Sequence, residues 1–95
     1  MADITVKLFG VFRTDTRLAK ENINVDDIGG IFPILNEVAE KVYQNNLKEN
    51  PKLKKPDPIK FNDAIVYVNG EKTTKKRYSL KDGDEVWIMS PASGG

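Results

Sequence analysis

The sequence contains 95 residues, of which 31% are charged and 39% hydrophobic, and its formal net charge is +1. This length suits one domain with a modest core, and the balanced charge argues against nucleic-acid binding through the field of the whole protein. The absence of Cys and His excludes disulfides, thiolate nucleophiles and cysteine or histidine metal sites, and it removes the commonest general base.

Two strands are predicted at the N-terminal end of the chain. Residues Asp3 to Phe9 alternate apolar and polar side chains, which is typical of a half-buried strand, and Gly10 marks its end. A second, weaker strand fits Arg17 to Val25, with Leu18 and Ile23 among its apolar markers. Together they form a predicted hairpin with an open, polar connection.

The pattern then changes to a helical period. Apolar side chains recur at the spacing of one helix face, at Ile31, Ile34, Leu35, Val38 and Val42. Pro33 suits a first turn, where a missing backbone donor costs nothing. We predict a helix from about Phe32 to Asn46, with Gly29 or Gly30 just outside it. The next segment, Lys48 to Phe61, is rich in proline and charge and is predicted to be an exposed loop without a core role.

The C-terminal half carries hairpin signals. A strand ends at the Asn69-Gly70 turn, and a short strand returns near Lys72 to Thr74. A turn at Asp82-Gly83 precedes the last strand, Glu85 to Ser90. One helix on one face of a mixed four- to five-stranded sheet, with the first and last strands parallel, is an α+β fold of the β-grasp (ubiquitin-like) class. Residues 1–90 form the predicted domain, and residues 91–95 a flexible tail.

Several of these motifs, taken in order, resemble the ubiquitin-like sulfur carriers, above all the small subunit of molybdopterin synthase. The resemblance rests on Val68-Asn69-Gly70, Leu80, Asp82 to Val86, the apolar strand up to Met89, Pro91, and Gly94-Gly95 at the end. The first strand and Arg13 are also similar. Pro91-Ala92 departs from the family's frequent Pro-Pro, and the Lys48 to Phe61 loop lies outside the resemblance.

The resemblance implies a chemistry for the tail. A partner enzyme of the ubiquitin-activating type would use ATP to adenylate the Gly95 carboxylate, and a sulfur-donating enzyme would convert it to a thiocarboxylate. The large subunit of molybdopterin synthase would hold the acceptor. Gly94, which has no Cβ, would let the tail thread a narrow channel. The carrier itself would bind no cofactor or metal. Thiamine or tRNA thiolation, and conjugation to lysine as a protein modifier, are the alternatives; a β-grasp interaction domain with a passive tail is a third.

The strand pattern also predicts a docking surface. If Val86 and Ile88 face the helix, their neighbours face away from it. The resulting outer surface, together with Pro91, is predicted to bind partners, and its sheet residues are Phe9, Ile65, Tyr67, Trp87 and Met89. Aromatic residues and Met are enriched in interfaces. A strand slipped by one residue would instead bury them in the core.

The basic stretches and the chain termini are less informative. Most lysines, and Arg13, suit a solvated surface, with an acidic partner as the next interpretation. No nucleic-acid signature is present. No apolar run approaches the roughly 20 residues of a membrane span, and the N-terminal residues lack the apolar segment of a signal peptide. We therefore expect a cytoplasmic protein that contacts neither nucleic acid nor membrane.

Overall fold

The computed structural model describes residues 1–91, and these form one mixed sheet with two helices. The elements in chain order are β1 (Ala2–Phe9), α1 (Gly10–Thr16), β2 (Lys20–Val25), α2 (Ile28–Leu47), a 3-10 turn (Phe61–Asp63), β3 (Ile65–Val68), β4 (Glu71–Thr73) and β5 (Glu85–Met89). Across residues 1–91, no helix has both the length and the apolar character needed to span a membrane.

The sheet has the strand order β2-β1-β5-β3-β4. Its central pair, β1 and β5, is parallel, with Val6 opposite Val86, and the remaining neighbours are antiparallel. The predicted pairing of first and last strands is therefore confirmed. The hairpin turn between β3 and β4 places Asn69 and Gly70 at positive φ, 51° and 88°, as a tight turn matched to strand twist requires. The fold is the predicted α+β β-grasp.

The core lies between the sheet and α2. Alternate residues of β1, β3 and β5 are buried, including Val6, Val66, Val86 and Ile88. Helix α2 covers them with a buried face made of Ile28, Ile31, Phe32, Leu35 and Ala39. Since side chains of a strand point alternately to its two faces, this burial fixes which residues remain on the face opposite α2.

Helix α2 begins four residues before the predicted start. The Asp27 side chain caps it by accepting a hydrogen bond of 3.0 Å from the Gly30 amide. The amides of Ile28 and Gly29 donate to the carbonyls of the 76–78 segment. Because these first-turn donors are satisfied, both glycines lie inside the helix, and Pro33 lies beyond the first turn. The predicted boundary was wrong.

The connection between β1 and β2 is not open. It forms α1, a helix of seven residues that is capped at its C-terminal end by Arg17, with φ of 64°, so β2 begins at Lys20 and not at Arg17. Phe12 packs against the core from this helix, and the Thr16 hydroxyl donates to the Phe12 carbonyl at 2.6 Å. A single short helix with one inward aromatic residue has too few turns to produce a periodic pattern.

The segment between α2 and β3 is mostly exposed but contributes to the core, which corrects the prediction. Ile59 is only 2% exposed. The Asn36 side chain holds it by accepting from the Ile59 amide at 2.8 Å and donating to the Ile59 carbonyl at 2.9 Å. Phe61 packs edge-on against Phe32, with ring centroids 5.9 Å apart. An isolated isoleucine between proline and lysine gave no sequence signal of burial.

Candidate functional site

The predicted outer surface exists as one contiguous patch. Its five residues occupy adjacent positions on three neighbouring strands, because Phe9 and Ile65 both pair with Met89, and Tyr67 pairs with Trp87. All five side chains are half-buried on the face of the sheet opposite α2. Their inward neighbours are buried, so the register that would place these residues in the core does not occur. We call this set the outer apolar surface.

Trp87 lies at the centre of the outer apolar surface. Its ring meets Phe9 edge-on at a centroid distance of 5.7 Å and lies tilted against Tyr67 at 6.4 Å. The indole Nε1 donates a hydrogen bond of 2.7 Å to Glu85 Oε2. The other carboxylate oxygen, Oε1, is 3.2 Å from Lys7 Nζ. Three different contacts therefore hold the indole in one orientation.

The pKa of the Glu85 carboxylate is changed by its neighbours on this face. The Trp87 hydrogen bond, first, and then the hydrogen bond and charge of Lys7 lower the pKa of Glu85 below its usual 4.5. Lys20 lowers the pKa further through its charge. Glu85 is consequently ionised at neutral pH, where it accepts from both partners at once.

A cationic rim borders the outer apolar surface on two sides. The register across the sheet places Lys20, Lys7, Trp87, Tyr67 and Lys72 in one row. Lys20 and Lys72 are exposed at the two ends of this row, and within residues 1–91 neither forms an ion pair. An apolar centre with cations at its edges matches the anatomy of a protein interface and favours an acidic partner rim.

The chain leaves the sheet beside this surface. Strand β5 ends at Met89, a member of the surface, and is followed by half-buried Ser90 and exposed Pro91. Gly10 sits against this exit at φ of 65°, where an added Cβ would lie 3.3 Å from the Ser90 Oγ. The predicted sites Gly94 and Gly95 lie outside the described residues.

Arg13 does not belong to the outer apolar surface. It is exposed on α1 and lines an open groove with Gly10, Val11 and Arg17. Because Gly10 also borders Ser90, this groove adjoins the tail exit. Neither Lys20 nor Lys72 was predicted from the sequence to belong to the site. The residues beside them, Ala19, Glu21, Glu71 and Thr73, are not buried, so apolar alternation gave no signal. The placement of both lysines follows only from the register of the edge strands β2 and β4.

The described residues combine the features of a docking surface. Within residues 1–91, no group of three acidic side chains is placed to hold a metal ion. The features that converge are an apolar surface with an oriented tryptophan, a cationic rim and an adjacent exit for the chain.

Comparisons with solved structures agree on the fold. A Pyrococcus furiosus protein assigned as molybdopterin converting factor, subunit 1, has a TM-score of 0.65 at 23% identity, over 97% of this chain and 100% of its own. The small archaeal modifier protein 1 of Methanosarcina acetivorans gives 0.63 at 24% identity, over 100% and 98%. A complex of subunits 1 and 2 of the molybdopterin-converting factor of Helicobacter pylori 26695 gives 0.51 at 19% identity, over 98% and 99%.

The family is established by sequence. No curated protein sequence matches the chain significantly. The sequence profile of the ThiS family, in contrast, matches residues 6–95, which include every strand of the sheet except the first residues of β1. The chain therefore belongs to the ThiS family of ubiquitin-like sulfur carriers.

Proposed function

We propose that this carrier delivers sulfur from its C-terminal glycine to a pterin precursor during molybdopterin biosynthesis. The observation that carries the proposal is the position of the outer apolar surface, which borders the end of β5, from which the chain runs on to Gly94 and Gly95. The Helicobacter pylori complex, in which a protein of this fold is paired with subunit 2 of the molybdopterin-converting factor, supports the choice of pathway.

The chemistry begins with a poor acylating group. The Gly95 carboxylate attacks the α-phosphorus of ATP in the partner enzyme, which forms an acyl-adenylate and releases pyrophosphate. The terminal sulfur of a persulfide on the sulfur-donating enzyme then displaces AMP, which gives an acyl disulfide. A second thiol attacks the donor sulfur of that disulfide, which releases the thiocarboxylate on Gly95 and leaves a disulfide on the donor. Each carrier molecule delivers one sulfur, so two successive molecules supply the two sulfurs of a dithiolene.

The body of the carrier supplies the binding energy. Ordering a tail in a channel costs about 1–2 kcal/mol per residue, and the docked surface must offset that cost. The outer apolar surface is suited to this because aromatic residues that are held rigidly lose little entropy on binding. Its cationic rim would face acidic residues of the adenylating enzyme and of the large subunit in turn.

A second function uses the same tail. The fold is shared with the small archaeal modifier protein 1 of Methanosarcina acetivorans, and conjugation of Gly95 to a lysine of a target would need the same adenylation. Carriage for thiamine or for tRNA thiolation would differ in the acceptor alone. The products distinguish these functions, because carriage leaves a thiocarboxylate and modification leaves an isopeptide.

The decisive experiment is intact mass spectrometry of the carrier after incubation with a ubiquitin-activating-type enzyme, ATP and a sulfur source. We expect the mass increase of one oxygen replaced by one sulfur, followed by its loss when large subunit and pterin precursor are added. Omission of ATP is the matched control. An unchanged mass would contradict carriage, and an isopeptide bond between Gly95 and a target lysine would identify a modifier. If the carrier keeps its sulfur when the large subunit and the pterin precursor are added, but transfers it to a thiamine precursor or to tRNA, the carrier serves that other pathway.

A further inference from the structure

A second groove lies on the α2 side of the sheet, away from the outer apolar surface. It has a volume of about 350 Å³. One wall is the first half of α2, and the other is formed by the segment before β3 and the segment after β4. The lining residues are Gly29, Phe32, Pro33, Asn36, Ile59, Lys60, Phe61, Asn62 and Lys76.

The floor of this groove is rigid and apolar. The rings of Phe32 and Phe61 meet at 90° with centroids 5.9 Å apart. Asn36 fixes the opposite wall through its two hydrogen bonds to the backbone of Ile59. A preformed floor of this kind loses little entropy when it accepts one large apolar side chain.

The rim of the groove is cationic. Lys60 and Lys76 are exposed on its border, none of the lining residues is acidic, and within the described part of the chain neither lysine forms an ion pair. The stem of Lys76 packs closely over Gly29, where an added Cβ would meet Lys76 Cγ at 3.0 Å. The position of this ammonium group is therefore restricted by packing, and a carboxylate opposite it would be bound in a defined place.

The groove also presents a backbone acceptor. Pro33 has no N–H, so the Gly29 carbonyl lacks the donor that a residue four positions later normally provides in a helix. Both residues line the groove. The backbone N–H of an extended segment lying along α2 can supply that hydrogen bond.

We propose that this groove is a second docking site, which takes an extended acidic peptide segment with one large apolar side chain between flanking carboxylates. The apolar side chain rests on the Phe32 and Phe61 rings, and the carboxylates face Lys60 and Lys76. Because the groove and the outer apolar surface are on opposite faces of the sheet, a partner bound here leaves the tail exit free. The site does not depend on which acceptor receives sulfur.

The test uses NMR titration of the full chain with the peptide acetyl-Glu-Asp-Phe-Asp-Glu-amide at low ionic strength. We expect saturable shifts of the amides of Phe32, Lys60, Phe61 and Lys76, and no comparable shifts on the outer apolar surface. The same peptide with Ala in place of Phe should bind at least about tenfold more weakly, because one large apolar side chain is lost. The absence of saturable shifts, or equal binding of the Ala peptide, would overturn the proposal.

Charge-reversal variants separate the groove from general attraction. The double change Lys60→Glu and Lys76→Glu should weaken peptide binding by at least about tenfold through like-charge repulsion. The matched control, Lys48→Glu with Lys52→Glu, makes the same change in net charge at exposed residues that do not line the groove. If both pairs of substitutions weaken peptide binding equally, the attraction is non-specific and the proposal is overturned. Should the first pair impair folding, as judged by spectral dispersion, Lys60→Ala with Lys76→Ala replaces it. Trp87→Glu should leave peptide binding unchanged.

Discussion

The indole nitrogen of Trp87 donates a 2.7 Å hydrogen bond to Glu85, two residues earlier on the same strand and the same face. The bond turns a mobile aromatic side chain into a fixed part of the outer apolar surface. Lys7, from the parallel neighbour strand, holds the same carboxylate from the other side. An anchor that is already oriented binds at a lower entropic cost than one that must be ordered on contact.

The first prediction concerns the anchor itself. Trp87→Glu should weaken docking to the adenylating enzyme by about 2 kcal/mol or more, the range of interface hot spots, because it places a charge at the centre of the surface. The domain should remain folded, since the core is on the other face of the strand. Binding measured by titration calorimetry, with Trp87→Phe as the control that keeps an aromatic ring, tests this. An unfolded Trp87→Glu variant would show that the side chain supports the fold.

The second prediction is a pH dependence. The depressed pKa of Glu85 means that its interactions favour the folded state above the ordinary carboxyl pKa of 4.5 and are lost as pH falls through the lower folded value. Trp87 is the sole tryptophan, so its fluorescence should change at a pH below 4.5 as the carboxylate is protonated. In Glu85→Gln this transition should disappear. A transition that persists unchanged in the variant would assign it to another carboxylate.

The position of the outer apolar surface on the face opposite α2 could be predicted from the sequence, because it needed only the alternation of strands β1, β3 and β5 and the pairing of the first and last strands. The binding of partners by this surface stays a prediction. Val66, Val68, Val86 and Ile88 are strong markers of one face, so their neighbours are placed on the other. The core role of Ile59 could not be predicted from the sequence, because it depends on contacts with Asn36, which is 23 residues away. The start of α2 was missed for a similar reason, since segment 76–78 supplies acceptors to its first turn.

The third prediction revises the role of the segment between α2 and β3. Ile59→Ala should destabilise the domain by about 2–5 kcal/mol, the cost of a cavity in a core, and Asn36→Ala by about 1–3 kcal/mol because buried backbone groups lose their partners. Lys54→Ala, an exposed change in the same segment, should be nearly neutral. Urea unfolding of the three variants measures these differences. Equal stability of Ile59→Ala and the parent would show that the segment is not part of the core.

A shorter version of that segment tests function separately. Replacing residues 49–56 by a turn keeps Ile59 and Phe61 in place, and surface segments tolerate changes in length. We expect adenylation within a few-fold of the parent, because the outer apolar surface is untouched. Complete loss of sulfur transfer by a folded variant would make this segment a docking element for the partner enzyme.

The fourth prediction concerns the tail exit. Gly10→Ala should destabilise the protein by about 1–2 kcal/mol, because φ of 65° is unfavourable for a residue with Cβ, and it should also crowd Ser90. Gly83→Ala is the matched control, with φ of 88° and open space around the added Cβ. If both variants lose similar stability but Gly10→Ala alone slows adenylation, the contact with Ser90 guides the tail. If both variants are adenylated at the same rate, Gly10 is needed only for its backbone conformation.

The fifth prediction tests the chemistry of the end of the chain. The proposal requires a free carboxylate on Gly95, because an amide carbonyl within a longer chain cannot be adenylated. One alanine added after Gly95 should therefore abolish productive activation, and even an adenylated longer tail would misplace the reacting atom, for which a displacement of about 1 Å can cost about a hundredfold.

A change at Gly94 separates threading from activation. Gly94→Trp keeps the terminal carboxylate and the docking surface, but its side chain would block a narrow channel, so binding should persist while ATP–pyrophosphate exchange is lost. Both tail variants should keep the Tm of the parent, since terminal residues rarely determine the stability of a domain. Mass spectrometry must show that the added alanine has not been trimmed. Normal exchange by an intact, alanine-extended protein would contradict the sulfur-carrier chemistry proposed for Gly95, and normal exchange by Gly94→Trp would show that the partner's channel is wide.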